Sequence, residues 1–183
     1  MRFGIDTLSV IPGWTGGGQN WNGMCAECHS TNLQKNYDAS KDTFDTSWSE
    51  IDVSCEACHG PASAHLSWAN KNKTGEEGSG DKGFSFRFDE REDVLWKMNA
   101  KTGNAIRSEP RATVKEIEVC AQCHSRRSVI SSDYSAGKPF VDHYMPRLLD
   151  EGMYHADGQI QDEVYVYGSF MQSKMQHMGV TCS

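Results

Sequence analysis

Three copies of one five-residue pattern, C-x-x-C-H, dominate this chain of 183 residues. They lie at 25–29, 55–59 and 120–124 and use six of the seven cysteines and three of the seven histidines. Two thiols three positions apart suit the two vinyl groups of one porphyrin, and the histidine that follows is placed to bind the iron. The pattern therefore predicts covalently bound c-type haem. The predicted attachment residues are Cys25, Cys28, Cys55, Cys58, Cys120 and Cys123, and the predicted axial ligands are His29, His59 and His124.

Three other kinds of site also use paired cysteines. Structural zinc does not require histidine directly after each pair, and the 26 residues between Cys28 and Cys55 exceed the usual interval of a zinc ribbon. A redox-active dithiol needs one pair in a thioredoxin-like context, which this sequence lacks. An odd number of cysteines fits poorly with a disulfide framework. Haem attachment is the leading interpretation, and a zinc-stabilised interaction module is the alternative from a different class.

The seventh cysteine, Cys182, has two interpretations. One is an incidental thiol. The other is the start of a fourth C-x-x-C-H that the given sequence does not complete. Successive cysteine starts are 30, 65 and 62 residues apart, which favours the second interpretation. We therefore expect three complete haem motifs and a fourth truncated at Cys182, in a chain that is an internal fragment.

Four histidines lie outside the motifs, and we expect them to fill the second axial positions: His65, His143, His155 and His177. Six residues of helix turn through about 600°, so His65 should face away from His59 and suit a neighbouring haem. A surface role or a bond to a propionate is the alternative for His65. His177 falls on a predicted helix, 169–178, whereas His143 and His155 fall in loop-like sequence. Methionine ligation is less favoured, because methionine more often fills gaps in packing.

Composition restricts the function classes. Leu, Ile, Val and Phe make up only 30 of the 183 residues, so a bound cofactor could supply the missing apolar bulk. A net charge of −7 argues against a nucleic-acid partner. The sequence has no apolar run long enough for a membrane span and no signal-peptide pattern in residues 1–18, so any export signal is expected outside it.

The sequence pattern predicts a mainly α fold with much irregular loop and one or two short β-hairpins, organised around the haems. A single domain is expected over residues 1–183, with an irregular leading segment at 1–24 and a mobile loop at 70–83. Thr113 and Glu116 have capping-box spacing for the helix that carries the third motif. Further predicted elements are a helix at 62–70, a strand at 84–88, a hairpin of 94–98 with 105–108, a short helix at 146–151 and a strand at 163–167.

Residues 21–33, 53–61, 119–127 and 154–182 resemble bacterial multihaem c-type cytochromes. The similar superfamily includes the tetrahaem electron acceptor of hydroxylamine oxidoreductase and the pentahaem nitrite reductases. The resemblance implies a multihaem cytochrome c fold, an exported or periplasmic location, and closely packed haems that conduct electrons. It also implies that Cys182 begins a complete motif in full-length relatives, and that partners include the missing upstream and downstream parts of the chain.

The leading functional prediction is electron transfer between redox partner proteins, with no catalytic residue assigned. The alternative is a reductase of small nitrogen or sulfur oxyanions, which needs one iron with an open site and nearby donors. Candidate donors are Arg126, Arg127, Arg147, Tyr144 and His143. Arg126 and Arg127 could instead be solvated charges or pair with haem propionates.

Overall fold

A computed structural model describes residues 20–74 and 80–182 of the protein, and the chain divides into two compact units, residues 1–57 and 58–183. Most of the expected leading segment, residues 1–19, and the middle of the expected mobile loop, residues 75–79, lie outside the described residues. The single-domain expectation stays a prediction, and each unit is described by itself.

The first unit is built from short elements around the first motif. Helix α1 (Trp21–Met24) begins after Asn20, whose side chain accepts a hydrogen bond from the Gly23 N–H. Strands β1 (Tyr37–Asp38) and β2 (Thr43–Phe44) form an antiparallel hairpin. The rings of Trp21 and Trp48 meet edge to face at 5.5 Å and tie α1 to the loop beyond the hairpin. Helix α2 (Cys55–His59) consists of the second motif, and the division between the two units falls within it, after Ala57.

The second unit contains five helices and two antiparallel pairs of strands among the described residues. The helices are α3 (Ser63–Lys73), α4 (Lys115–His124), α5 (Phe140–His143), α6 (Tyr167–Gln172) and α7 (Lys174–His177). Strand β3 (Trp96–Met98) pairs with β4 (Ala105–Arg107), which confirms the hairpin predicted there. Strand β5 (Arg127–Val129) pairs with β6 (Tyr144–Pro146) directly after the third motif.

Helix α4 is the centre of the second unit. Val119 packs with Phe86 and Ala136, whereas Ala121 packs with Phe140 and Tyr144. Two residues of helix turn through about 200°, so these two clusters lie on opposite faces of α4. Burial of both faces explains why this helix, which carries Cys120 and Cys123, is the best-enclosed element described.

The predicted capping box of α4 is wrong. The helix begins after Val114, which makes no side-chain capping bond. The carboxylate of Glu90, from a distant loop, accepts hydrogen bonds from the Thr113 hydroxyl and from the Glu116 N–H, the latter at 3.3 Å. Thr113 is therefore committed to Glu90 and does not cap its own helix.

Three further local predictions are corrected by the structure. Residues 84–88 are irregular, with a bend at 85–86, because Phe84 and Phe86 make separate contacts and no strand in the described part of the chain pairs with the segment. No helix forms at 146–151, because Pro146 ends strand β6 opposite Arg127. Residues 163–167 are not a strand; Val164 accepts one backbone hydrogen bond, from Arg126, and Tyr165 has a φ of +61°.

The remaining helix predictions are partly right. The helix predicted at 62–70 is α3, three residues longer at its C-terminal end. The helix predicted at 169–178 is broken at Ser173, which is extended and whose hydroxyl caps the Gln176 N–H of α7. His143, expected in a loop, ends the one-turn helix α5. Among the described residues, no helix is both long and apolar enough to span a membrane.

Candidate haem-attachment sites

The first motif lies in the turn that follows α1. Cys25 caps the helix, and the His29 N–H donates back to the Cys25 carbonyl at 3.1 Å. Cys25 and Cys28 are half-buried and His29 is exposed, while Ala26 between the two cysteines is completely buried. Burial of Ala26 anchors the turn and leaves the histidine ring accessible.

The second motif is helix α2. Cys58 packs against the cluster of Phe86, Val119 and Ala136. The His59 ring lies edge-on to Phe88 at 4.7 Å. Gly60, at a φ of +74°, ends the helix where a Cβ would approach the Ser85 hydroxyl to 2.9 Å. The His59 ring is therefore held by an aromatic residue that follows it in the sequence, Phe88.

The third motif occupies the last turn and a half of α4. Cys120 and Cys123 are half-buried, and three positions of helix place them on the same face. His124, the last helical residue, is exposed. The buried Ser125 hydroxyl donates to the Ala121 carbonyl at 2.6 Å and secures the point where the chain leaves the helix.

Cys182 lies against the third motif. The Cys120 thiol and the Cys182 sulfur are hydrogen-bonded. This bond, with burial, raises the pKa of Cys120 above its ordinary value, and the same bond lowers the pKa of Cys182. The structure thus brings together two cysteines that are 62 positions apart in the sequence.

His65 has the most constrained ring of the exposed and half-buried histidines outside the motifs. It lies in the first turn of α3, and its Nδ1 is 2.7 Å from the Lys82 carbonyl oxygen. Its ring stacks on Phe84 at 4.1 Å and on Trp68 at 5.4 Å. Since a carbonyl only accepts hydrogen bonds, Nδ1 carries the proton and Nε2 of the neutral ring is left as the metal-binding nitrogen.

His143 is the only buried histidine in the described part of the chain. Its Nδ1 lies 3.2 Å from a carboxylate oxygen of Asp133, and its ring lies edge-on to Tyr134 at 5.4 Å. The Asp133 carboxylate accepts a hydrogen bond from the Ser131 hydroxyl, which holds the pKa of Asp133 below its ordinary value. Within the described residues His143 Nδ1 makes no hydrogen bond, so Asp133 is a nearby charge and not a hydrogen-bond acceptor that orients the ring.

His155 and His177 are placed differently. Both are exposed, with His155 in a loop as expected and His177 at the end of α7. His177 lines a groove of about 470 Å³ together with Arg107, Arg111 and Thr113. Arg111 donates to the Val180 carbonyl at 3.2 Å, close to Cys182. Two arginines give this groove the charge to hold carboxylates, such as haem propionates.

The arginines and tyrosine considered for an open-site reductase are grouped by one ribbon. Strands β5 and β6 bring Arg127 over the Tyr144 ring at 3.9 Å, and Arg147 N–H donates to the Arg126 carbonyl. Both guanidinium groups that follow the third motif are already engaged. Arg127 donates to the Gln122 carbonyl and Arg126 donates to the Glu163 carbonyl.

The donor set fits haem c. All seven cysteines lie in the described residues, and no disulfide joins any of them. Each complete motif places two thiols and an imidazole within one or two turns of chain, as thioether attachment and axial ligation require. Within 20–74 and 80–182, no three His, Cys, Asp or Glu side chains gather into a metal-binding cluster.

One protein-family model, described as cytochrome c554 and c-prime, matches residues 17–60. The match contains the whole of the first two motifs and covers about a quarter of the chain. It supports a c-type cytochrome family. Covalent haem c and a role in electron transfer follow from such a family. No curated protein and no solved structure matches the chain.

No sequence pattern indicates the residues that contact His65 and His143. His65 is contacted by Lys82 and Phe84, which are 17 and 19 positions away in the sequence. His143 is contacted by Asp133, which is 10 positions away. The turn at Lys82 is defined by two consecutive positive φ angles, at Lys82 and Gly83, and a sequence does not show backbone angles. Glu90, which caps α4, carried no sequence signal at all.

Proposed function

We propose that this chain is a multihaem c-type cytochrome that passes electrons between redox partner proteins. Three C-x-x-C-H motifs carry the proposal; their cysteines form no disulfide, and they lie in the turn after α1, in α2 and at the end of α4. The family match over the first two motifs supports it. When bound, haem supplies a ferric/ferrous couple, so one electron taken from a reduced partner leaves to an oxidised one.

The motif residues would hold the haems. Cysteines 25 and 28, 55 and 58, and 120 and 123 would form the thioether bonds, with His29, His59 and His124 as the first axial ligands. His65 is the best-supported second ligand, because the Lys82 carbonyl accepts from its Nδ1 and fixes the ring. His143 is the next candidate, because its ring is buried with Nδ1 3.2 Å from an Asp133 carboxylate oxygen. His155 and His177 remain candidates, and Cys182 as the start of a fourth motif remains a prediction. The family is usually exported, so we propose a periplasmic location.

Reduction of a small oxyanion is the second candidate function. The grouping of Arg127 and Tyr144 on the β5–β6 ribbon, with Arg126 and Arg147 at its end, favours it. The engagement of Arg126 and Arg127 with backbone carbonyls argues against it, because those donors would have to leave existing bonds to bind substrate. Electron transfer therefore has the better support.

Haem counting tests the proposal. The chain is expressed with a c-type cytochrome maturation system, purified, and assayed as the pyridine haemochrome together with its metal content. About three haems per chain are expected from the three motifs. Zinc without haem would overturn the proposal and support the zinc-stabilised module.

Electron paramagnetic resonance of the same oxidised protein separates the two haem functions. Low-spin signals alone are expected for a carrier with two histidines on each iron. A substantial high-spin signal that changes when nitrite or sulfite is added would support the reductase instead.

A further inference from the structure

The turn Asp81–Phe84 contacts His65 through two of its four residues. Lys82 and Gly83 have φ values of +55° and +74°, and the Phe84 N–H donates to the Asp81 carbonyl at 3.1 Å. Two consecutive positive φ values inside such a bond are the signature of a type I′ turn. The turn directs the Lys82 carbonyl to His65 Nδ1 at 2.7 Å and stacks the Phe84 ring on the imidazole at 4.1 Å.

Gly83 allows the turn to approach helix α3 this closely. A Cβ at position 83 would lie 2.5 Å from the Ala64 carbonyl oxygen and 2.8 Å from the His65 nitrogen. Both atoms are backbone of the first helical turn, so they cannot move aside as a flexible side chain would. Any side chain at position 83 must therefore push the turn away from His65.

We infer that the Asp81–Phe84 turn is a positioning device for a haem ligand, with Gly83 as the residue on which it depends. The Lys82 carbonyl keeps the proton on Nδ1, so Nε2 is available for iron, and the Phe84 ring restricts rotation of the imidazole. The side chain of Lys82 takes no part, since only its carbonyl is used. This inference rests on the proposed function, in which His65 is an axial ligand.

Gly83→Ala in the haem-loaded protein tests the inference, with Gly103→Ala as the matched control. Gly103 has a similar φ, +67°, but no atom lies within 4 Å of its added Cβ. Both variants force alanine into left-handed backbone, and only the first meets helix α3. We expect Gly83→Ala to retain its haem count and to lose the low-spin resonance of one haem, as His65→Ala does. Added imidazole should restore that resonance in His65→Ala, and Gly103→Ala should match the unchanged protein.

Asp81→Ala provides a second variant if Gly83→Ala is not recovered with haem. It removes the carboxylate that accepts from the Gly83 N–H at 2.9 Å, and it adds no atoms against α3. We expect partial loss of the same low-spin resonance. If His65→Ala loses the resonance but Gly83→Ala and Asp81→Ala both keep it, the positioning inference is overturned and the proposed function stands. If His65→Ala itself keeps every low-spin signal, His65 is not a ligand and the inference falls with it. A protein that binds no haem overturns the proposed function.

Discussion

Glu118 lies on α4, two residues before Cys120, where burial raises the pKa of its carboxyl above the ordinary glutamate value. The Phe140 N–H donates to this carboxylate, whereas the charges of Asp142 and Glu90 oppose it. The ionised form is therefore less favourable in the folded protein than in the unfolded chain. Glu118 therefore lowers the stability of the folded protein as pH rises, whereas a carboxylate paired with a cation raises it.

Glu118→Gln should stabilise the haem-loaded protein at neutral pH and have little effect below about pH 4. As pH rises, the Glu118 carboxyl loses its proton in the unfolded chain first, because its pKa is lower there than in the folded protein. Wild-type stability therefore falls until the pH exceeds the raised pKa of the folded state. The introduced amide cannot ionise, and it keeps an oxygen for the Phe140 N–H. The gain should be below about 1 kcal/mol, because the side chain is only partly buried and solvent screens its charge. Urea unfolding of both proteins at pH 4 and pH 7.5 measures this gain in stability. A gain that shrinks as pH rises would contradict a raised pKa for Glu118.

At the residue scale, the sequence predicts the groups whose spacing is dictated by covalent chemistry. The proposed attachment cysteines and first axial histidines follow from the spacing that a porphyrin and its iron require, so they can be predicted from five consecutive letters. The carbonyl that orients His65 comes from Lys82, and the carboxylate near His143 comes from Asp133; the positions of both depend on the folded loops. No local pattern specifies those contacts.

At the scale of elements, the capping of α4 shows how tertiary contacts replace local signals. A capping box satisfies the first N–H groups of a helix from within the same turn. In this chain the carboxylate of Glu90, 26 positions earlier, accepts from the Glu116 N–H, and the Arg107 guanidinium donates to the Glu90 carbonyl. The hairpin β3–β4 was predictable because its turn and its alternation are local, whereas the 84–88 strand failed for lack of a pairing partner.

Glu90→Ala should destabilise the haem-loaded protein by about 1 kcal/mol, as loss of a helix N-cap usually does. Glu90→Gln should retain most of the stability, because it keeps an acceptor oxygen. Glu92→Ala is the matched control; it removes an ion pair with Arg87 whose glutamate side chain is 62% exposed, so the loss should stay below about 0.5 kcal/mol. Urea midpoints at pH 7 compare the three variants. Equal losses for Glu90→Ala and Glu92→Ala would show that Glu90 does not cap α4.

At the scale of the whole molecule, the apolar core of the second unit is small. Among its described residues are two clusters of three buried residues each, on the two faces of α4, and Ile117, Tyr154 and Val164 are buried outside them. Large apolar side chains such as Leu66, Leu95 and Leu148 remain 60 to 74% exposed. A chain with so little Leu, Ile, Val and Phe gains little from burying its own side chains. Covalently attached macrocycles would add apolar surface against which the cysteine-bearing helices could pack.

Stability should therefore depend on haem attachment. We expect the chain produced without haem maturation, with all six motif cysteines retained, to be cleaved by a non-specific protease about tenfold faster or more than the haem-loaded protein, because its open states are more populated. Its far-ultraviolet circular dichroism should lose the helical signal of α3 and α4. Haem-loaded Leu148→Ser, altered at a side chain that is 74% exposed, controls for a general loss of apolar surface and should resist the protease like the unchanged protein. A haem-free chain as resistant as the haem-loaded one would show that the two small clusters suffice to hold the fold.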